Sequence, residues 1–362
     1  MHRLISLLTF CLIFVAMDVT AAPIKIGMSA PLSGPAKALG NQLLAGSRPV
    51  FNSTNAAGGI NGRPIQLIVR DDQYQPTQTL RNTIQFLRHD RVDGLFSYVG
   101  TPTVTKILPL LRENGKVTLY FPFSGAQPMR IPPYSDNAVH FRASYYAETA
   151  ALVRYFQSKG ITRIAVLYQV DAYGRNGWYG VKLALEKSGK SIVSEATYRR
   201  GSTFSSSYQP QVQLIMAEKP QAIICIGTYQ PAAGFIRDLR ARGHGIPVAN
   251  ISFSGAEALI DLVASIPNAA DNLVFSHVVP NPNTSRAPAA IEFRKTVKVP
   301  TFISFEGFLN AKLLVEILKS PNQSAYEIGL AEPVRFDGRQ AKNSVYLSTY
   351  SHMQWQEIGV FK

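Results

Sequence analysis

Short apolar runs alternate with amphipathic stretches along this chain in a regular order. The runs "IKIGMSA" (24–30), "GLFSYVG" (94–100), "RIAVLYQ" (163–169) and "AIICIG" (222–227) are apolar nearly throughout. Each leads into a stretch with helical spacing, then into a turn rich in Gly or small polar residues ("AAGGINGRP", "ENGK", "SGKS", "ARGHG"). A second run follows each turn: "IQLIVRDD", "VTLYF", "IVSEATY" and "IPVANISF". Continuous apolar strands joined by helices point to βαβ units whose parallel strands are covered on both faces. Helices are expected around residues 41–55 and from about Trp178 to Lys187, among others. Two units precede residue 143 and two follow it. The pattern therefore predicts an α/β protein of two similar lobes, with the chain crossing between them near "FRASYY" (141–146).

Two strand-to-helix junctions share one plan, "VGTPT" (99–103) and "IGTYQP" (226–231). In open α/β sheets ligands bind beyond the carboxyl ends of the strands, where loops meet helix N-termini. Gly permits close approach, Thr offers a hydroxyl or a helix cap, and Pro suits the first helical turn. Tyr98, Thr101, Phe123, Ser124, Tyr173 and Tyr229 all fall in such junctions. Rings supply contact area at low entropic cost while a few hydroxyls orient a small ligand. In "YFPFSGAQ", Ser124 and Gly125 stand where a helix begins, which suits a carboxylate or another electronegative group. The pair Asp71–Asp72 closes a strand, where a turn or cap role is expected.

Composition narrows the function. With 362 residues, 46% hydrophobic and 17% charged, the chain is long enough for two domains with substantial cores. Residues 1–22 have a basic start at Arg3, an apolar stretch from Leu4 to Met17 and small residues to Ala22, the pattern of a cleavable secretory signal. Without that segment Cys225 is the only cysteine, so no internal disulfide is expected. An exported chain of this kind points to the bacterial periplasm. The net charge of +14 is spread in ones and twos without a basic run, so a solvated surface is expected and nucleic acid is not. No G-x-G-x-x-G follows a strand, no G-x-S-x-G occurs, and the histidines lack metal-ligand spacing. No enzyme, metal or cofactor is expected.

From about Ile24 to Asn283 the chain resembles the periplasmic solute-binding proteins of ABC transporters, in the branched-chain amino-acid (Leu/Ile/Val-binding) type. The matching stretches are "IGMSAPLSGPAKALG", "NAAGGINGRPIQLIVRDDQYQP", "FSYVGTPT", "PFSGAQPMR", "FRASYYAET", "YQVDAYGRNG", "GTYQPAAGFIRDLRARG" and "NISFSGAEAL", in that order. The resemblance implies the type I fold, a Venus-flytrap clamp of two Rossmann-like lobes joined by a three-strand hinge. It implies a signal peptide (1–22), a first lobe (23–142), a second lobe (143–277), a shortened return to the first lobe (278–332) and a C-terminal hairpin at the second (333–362). Thr101 resembles the first-lobe hydroxyl contact, and Ser124 with Gly125 the loop that holds a ligand carboxylate. Tyr173 and Tyr229 resemble the second-lobe aromatic contacts, and Lys37 and Leu39 lie at the cleft edge. Amino-acid binders of the family carry an acid near Phe253 and Ser254, whereas the nearest carboxylate here is Glu257. A carboxylate-bearing or aromatic solute without an amino group is therefore expected. The implied partners are that small molecule and a membrane permease, with the protein a monomer. A sensing clamp for a membrane signalling protein and a degenerate, non-binding paralogue are the alternatives.

Overall fold

Strand β1 (Ile24–Ala30), apolar at most positions, is almost wholly buried. That burial follows from neighbours on both edges and helices on both faces. In the computed structural model, which describes residues 21–361, β1 pairs in parallel with β2 (Ile65–Asp71) and β3 (Gly94–Phe96). Strands β4 (Leu119–Tyr120) and β5 (Ala138–Val139) extend the sheet to the order β2-β1-β3-β4-β5, all parallel. Helices α1 (Lys37–Ala56), α2 (Pro76–Gln85) and α3 (Thr101–Asn114) connect these strands. The expected signal segment lies outside the described residues, apart from Ala21 and Ala22.

Helix α4 (Tyr145–Ser158) opens the second lobe, capped by the Ser144 hydroxyl, which accepts from the Ala147 N–H. Strands β6 (Ile164–Gln169), β7 (Glu195–Tyr198), β8 (Ala222–Ile226), β9 (Val248–Asn250) and β10 (Leu273–His277) form its parallel sheet. Helices α5 (Ala172–Glu186), α6 (Gln209–Ala217), α7 (Tyr229–Ala241) and α8 (Ala256–Val263) connect them. The α/β class with parallel sheets in two lobes is as the sequence pattern predicts.

Several elements differ in extent. Helix α5 begins six residues before the expected Trp178, because the Asp171 carboxylate accepts from the Tyr173 and Gly174 N–H groups. Gly174 and Gly177 masked that start, since Gly is a poor helix former. Both are there for space: a Cβ on Gly174 would stand 1.8 Å from the Gln169 carbonyl oxygen. Strand β3 stops at Phe96 and β4 at Tyr120, each followed by a residue of positive φ, Ser97 and Phe121.

After β10 the chain returns to the first lobe through α9 (Pro288–Thr296) and α10 (Phe302–Lys319), so the return segment carries two helices. Strands β11 (Ala325–Tyr326), β12 (Val334–Asp337) and β13 (Gln340–Ala341) make a separate small sheet. The hairpin that joins the second sheet is β14 (Val345–Ser351) with β15 (Gln354–Phe361), antiparallel to β10. The stretch expected as one hairpin thus divides in two. The Gly338 turn between β12 and β13 spends the first half on the hinge, where the His140 N–H donates to the Arg339 carbonyl at 2.8 Å.

Helices α1 and α10 pack backbone to backbone. A Cβ on Gly46 would lie 1.8 Å from the Ser304 carbonyl oxygen, and one on Gly307 would lie 2.3 Å from that of Leu43. The Ser47 hydroxyl bonds the Gly307 carbonyl at 3.1 Å across the same contact. Gly46→Ala is expected to destabilise the protein by about 1–3 kcal/mol, because neither helix backbone can retreat cheaply. Exposed Gly245, with nothing within 4 Å of an added Cβ, serves as the control. Gly245→Ala should stay within about 0.5 kcal/mol of wild type, and urea denaturation of both variants checks the pair.

Candidate functional site

The carboxyl ends of both sheets meet at a cluster of aromatic rings. Phe253 stands at its centre, with ring centroids 4.6 Å from Tyr173, 5.2 Å from Phe123, 6.2 Å from Tyr74 and 6.4 Å from Tyr145. Tyr145 also meets Tyr173 edge to face at 5.4 Å. Tyr74 and Phe123 come from the first lobe and the other three from the second, and all five are buried. Each such pair adds about 0.5–1.5 kcal/mol beyond area burial, so the cluster helps hold the two lobes together.

Local backbone places each ring. Tyr74 sits at φ +62, held by Asp72, which accepts from the Tyr74 N–H at 2.9 Å and from the Ser29 and Thr79 hydroxyls at 2.8 and 3.0 Å. Asp72 thus serves the turn, as expected; burial pushes its carboxyl up to about 6. The Tyr145 N–H donates to the Gly125 carbonyl at 2.8 Å, and a Cβ on Gly125 would lie 2.5 Å from the Tyr145 ring. Gly125 is the residue that lets the first-lobe loop lie under that ring.

The structure brings most of the sequence-predicted residues to this place. The Thr101 and Ser124 hydroxyls bond one another at 2.8 Å, both fully buried. Tyr229 starts α7 and its hydroxyl accepts the Ala38 N–H at 3.4 Å across the lobes. Leu39 packs beside Gly255 of the second lobe, 3.0 Å from where a Cβ would be. Two of the residues lie apart. Lys37 is exposed on the first turn of α1, and the Tyr98 hydroxyl is engaged with Thr83 at 3.1 Å inside the first lobe. Of the two matching junctions, α3 follows Gly100 and α7 follows Thr228, and neither start receives a side-chain cap. The nearest acid, Glu257, accepts through Oε1 from the Phe302 N–H at 2.8 Å at the start of α10, while its Oε2 is buried without a partner among the described residues.

Tyr74, Tyr145 and Phe253 were not picked out by sequence reasoning, and neither was a buried charged cluster beside them. Arg142, 2% exposed, lies where the chain leaves the first lobe, its guanidinium 4.3 Å from the Phe123 ring centroid. Its Nε is 3.4 Å from the Glu306 carboxylate on α10, and its Nη2 donates to the Ser252 hydroxyl. Glu148 on α4 accepts from the Ser252 N–H at 2.8 Å and from the Ser252 and Ser276 hydroxyls at 3.0 and 2.6 Å. Burial opposes the Arg142 charge, but Glu306 and Glu148 outweigh it and hold the guanidinium protonated above its usual range. For Glu306 burial wins over the attraction of Arg142, and the carboxyl is pushed up to about 7. The sequence signal for this cluster is an Arg and two Glu within otherwise apolar segments.

A family model described as periplasmic binding protein matches residues 23–329. The chain belongs to the periplasmic binding proteins. Among relatives, this periplasmic binding protein is 27% identical over 343 residues to the Leu/Ile/Val-binding protein BraC3 of Rhizobium johnstonii, covering 91% of this chain and 88% of that one. Among solved structures it is similar to a possible leucine/isoleucine/valine-binding protein from Rhodopirellula baltica, with TM-score 0.86, 28% identity and coverage of 95% and 98%. A solute-binding protein of an ABC transporter from R. palustris, in complex with benzoate, shares the fold at TM-score 0.82 and 19% identity, with coverage of 93% and 96%. The fold is that of the type I clamp and the likeness is to the branched-chain amino-acid binding type, whose members are solute-binding proteins and not enzymes.

Glu306 carries a pH prediction. Its folded value of about 7 lies above the ordinary 4.5, so the folded state holds the extra proton between these values. Stability from this group is complete below pH 4.5 and is lost as pH rises through 7. Glu306→Gln mimics the protonated acid. The variant's stability should change less between pH 5 and pH 8 than that of wild type, read from urea denaturation at both pH values.

Proposed function

We propose that the protein binds a small solute with a carboxylate and an aromatic or apolar body between its lobes and delivers it to an ABC transporter permease. The observation that carries this reading is the pairing of the Thr101 and Ser124 hydroxyls beside a ring cluster contributed by both lobes, with Glu257 turned away to α10. Hydroxyls and the uncapped start of α3 suit a carboxylate, and the rings suit the body of the ligand. Among the described residues, Glu148 is committed to Ser252 and Ser276 and Glu306 is paired with Arg142, which leaves neither of these acids free for an ammonium group. The benzoate complex of the R. palustris neighbour is in keeping with this ligand class.

Ligand enters when the lobes part and is enclosed when they close, so its better binding to the closed form drives closure. The protein acts in the periplasm as a monomer, after removal of residues 1–22. A second reading is a branched-chain amino acid as ligand, favoured by the name of the full-length R. johnstonii relative.

A thermal-shift screen of residues 23–362 with aromatic carboxylates, aliphatic amino acids and their amides separates the two. A concentration-dependent rise in Tm with aromatic carboxylates and none with leucine is expected; the reverse favours the amino-acid reading. Ser124→Ala and Tyr229→Ala should each weaken binding of the compound so found by about 1–3 kcal/mol. Unchanged affinity in both would remove these residues from the site.

A further inference from the structure

Three polar atoms near the Thr101–Ser124 pair are buried without a hydrogen-bond partner among the described residues: Nε and Nη1 of Arg142 and the hydroxyl of Tyr145. Of the Arg142 nitrogens only Nη2 makes a hydrogen bond, to the Ser252 hydroxyl; Nε faces the Glu306 carboxylate at 3.4 Å as an ion pair without a hydrogen bond, and the guanidinium face lies on Phe123. Nη1 remains as a charged donor with no acceptor. The Tyr145 hydroxyl lies close to the hydroxyls of Ser124 and Thr101, which bond each other, but it has no partner within hydrogen-bond distance among the described residues.

A buried donor without an acceptor costs about 1–3 kcal/mol, and more when charged. Such donors in one region, with a hydroxyl pair and the uncapped start of α3, can be satisfied together by an anion, which also answers the guanidinium charge. We propose that Arg142 and Tyr145, with Thr101 and Ser124, form the subsite that holds the ligand carboxylate in the closed clamp. The inference rests on the solute-binding reading above and extends it by naming the cation. Nη1 of Arg142 and the Tyr145 hydroxyl donate to the carboxylate oxygens, while Glu306 and Glu148 keep the guanidinium charged and fixed. The subsite straddles the crossing between the lobes: Arg142 is in the crossing, Tyr145 starts the second lobe, and Thr101 and Ser124 belong to the first. A neutral isostere cannot satisfy the guanidinium in the same way, so discrimination between acid and amide is built in.

Calorimetric titration of the mature chain with benzoate, phenylacetate, leucine and benzamide tests the assignment, with Tyr145→Phe and Arg142→Lys as variants. Tyr145→Phe removes an unbonded hydroxyl and keeps the ring, so its ligand-free Tm should equal or exceed that of wild type. Wild type should bind benzoate at least about tenfold more tightly than benzamide, and Tyr145→Phe should lose about tenfold for benzoate and less than about twofold for benzamide. Arg142→Lys keeps a charge but loses the planar fork and should also lose benzoate affinity; if it does not fold, Tyr145→Phe decides alone. Benzoate bound by Tyr145→Phe with wild-type affinity, or benzamide bound by wild type as tightly as benzoate, would overturn the subsite while leaving solute binding intact. No binding of any of the four compounds to wild type would overturn the solute-binding reading itself, and the subsite with it.

Discussion

A guanidinium buried where one lobe ends and the other begins has to be neutralised on the spot, and much of the arrangement around the hinge answers to that requirement. Arg142 draws Glu306 from α10, which packs on the first lobe, and shares Ser252 with Glu148 of the second. Removing a charge from water is costly unless partners and hydrogen bonds are supplied. The partners come from segments far apart in sequence, so the cluster exists only when the return helix and both lobes are in place. It makes correct assembly of the crossings a condition for burying the charge.

The remaining crossings are tied by side chains that donate to backbone carbonyls. The Asn343 side-chain amide donates to the Phe141 and Val278 carbonyls, both at 3.0 Å. One residue of the third crossing thereby holds the other two, and the Arg130 guanidinium adds a bond of 2.9 Å to the Arg142 carbonyl. Such bonds fix where the strands of the hinge lie while leaving the lobes joined by few backbone connections. Closure is then set by what the lobes present to each other across the cleft.

The layout of the lobes was legible because buried parallel strands read as unbroken apolar runs: eight such runs became β1 to β4 and β6 to β9, whereas the two-residue β5 and strand β10 were not among them. Strand ends were not, since they depend on single residues of positive φ such as Ser97 and Phe121. The start of α5 was hidden by glycines that packing against Gln169 requires. At the site, junction residues such as Thr101, Ser124 and Tyr229 could be named from their position after a strand. Tyr98 has the same position, yet its side chain turns to Thr83, because direction is set by packing that the pattern does not encode. Arg142, Glu148 and Glu306 looked like isolated charges, and their meaning lies in contacts across 104 to 164 residues of chain.

The charge cluster and the ring cluster are one device, joined through a single turn. Ser252 is held at its N–H and hydroxyl by Glu148 and receives the bond from Arg142; the next residue is Phe253, the ring on which four others converge. The buried carboxylate therefore positions the centre of the aromatic cluster. The Arg142 guanidinium, lying on Phe123, reaches the same cluster from the other side. A solute that engages the rings must act on residues whose places are set by the hinge charge, and a solute anion adds directly to that electrostatic balance. On the proposed reading, binding and hinge geometry are coupled by contact rather than at a distance. A phenyl ring at position 253 adds no charge beside Glu148 and Glu306, so the electrostatic balance around the guanidinium is set by those two carboxylates.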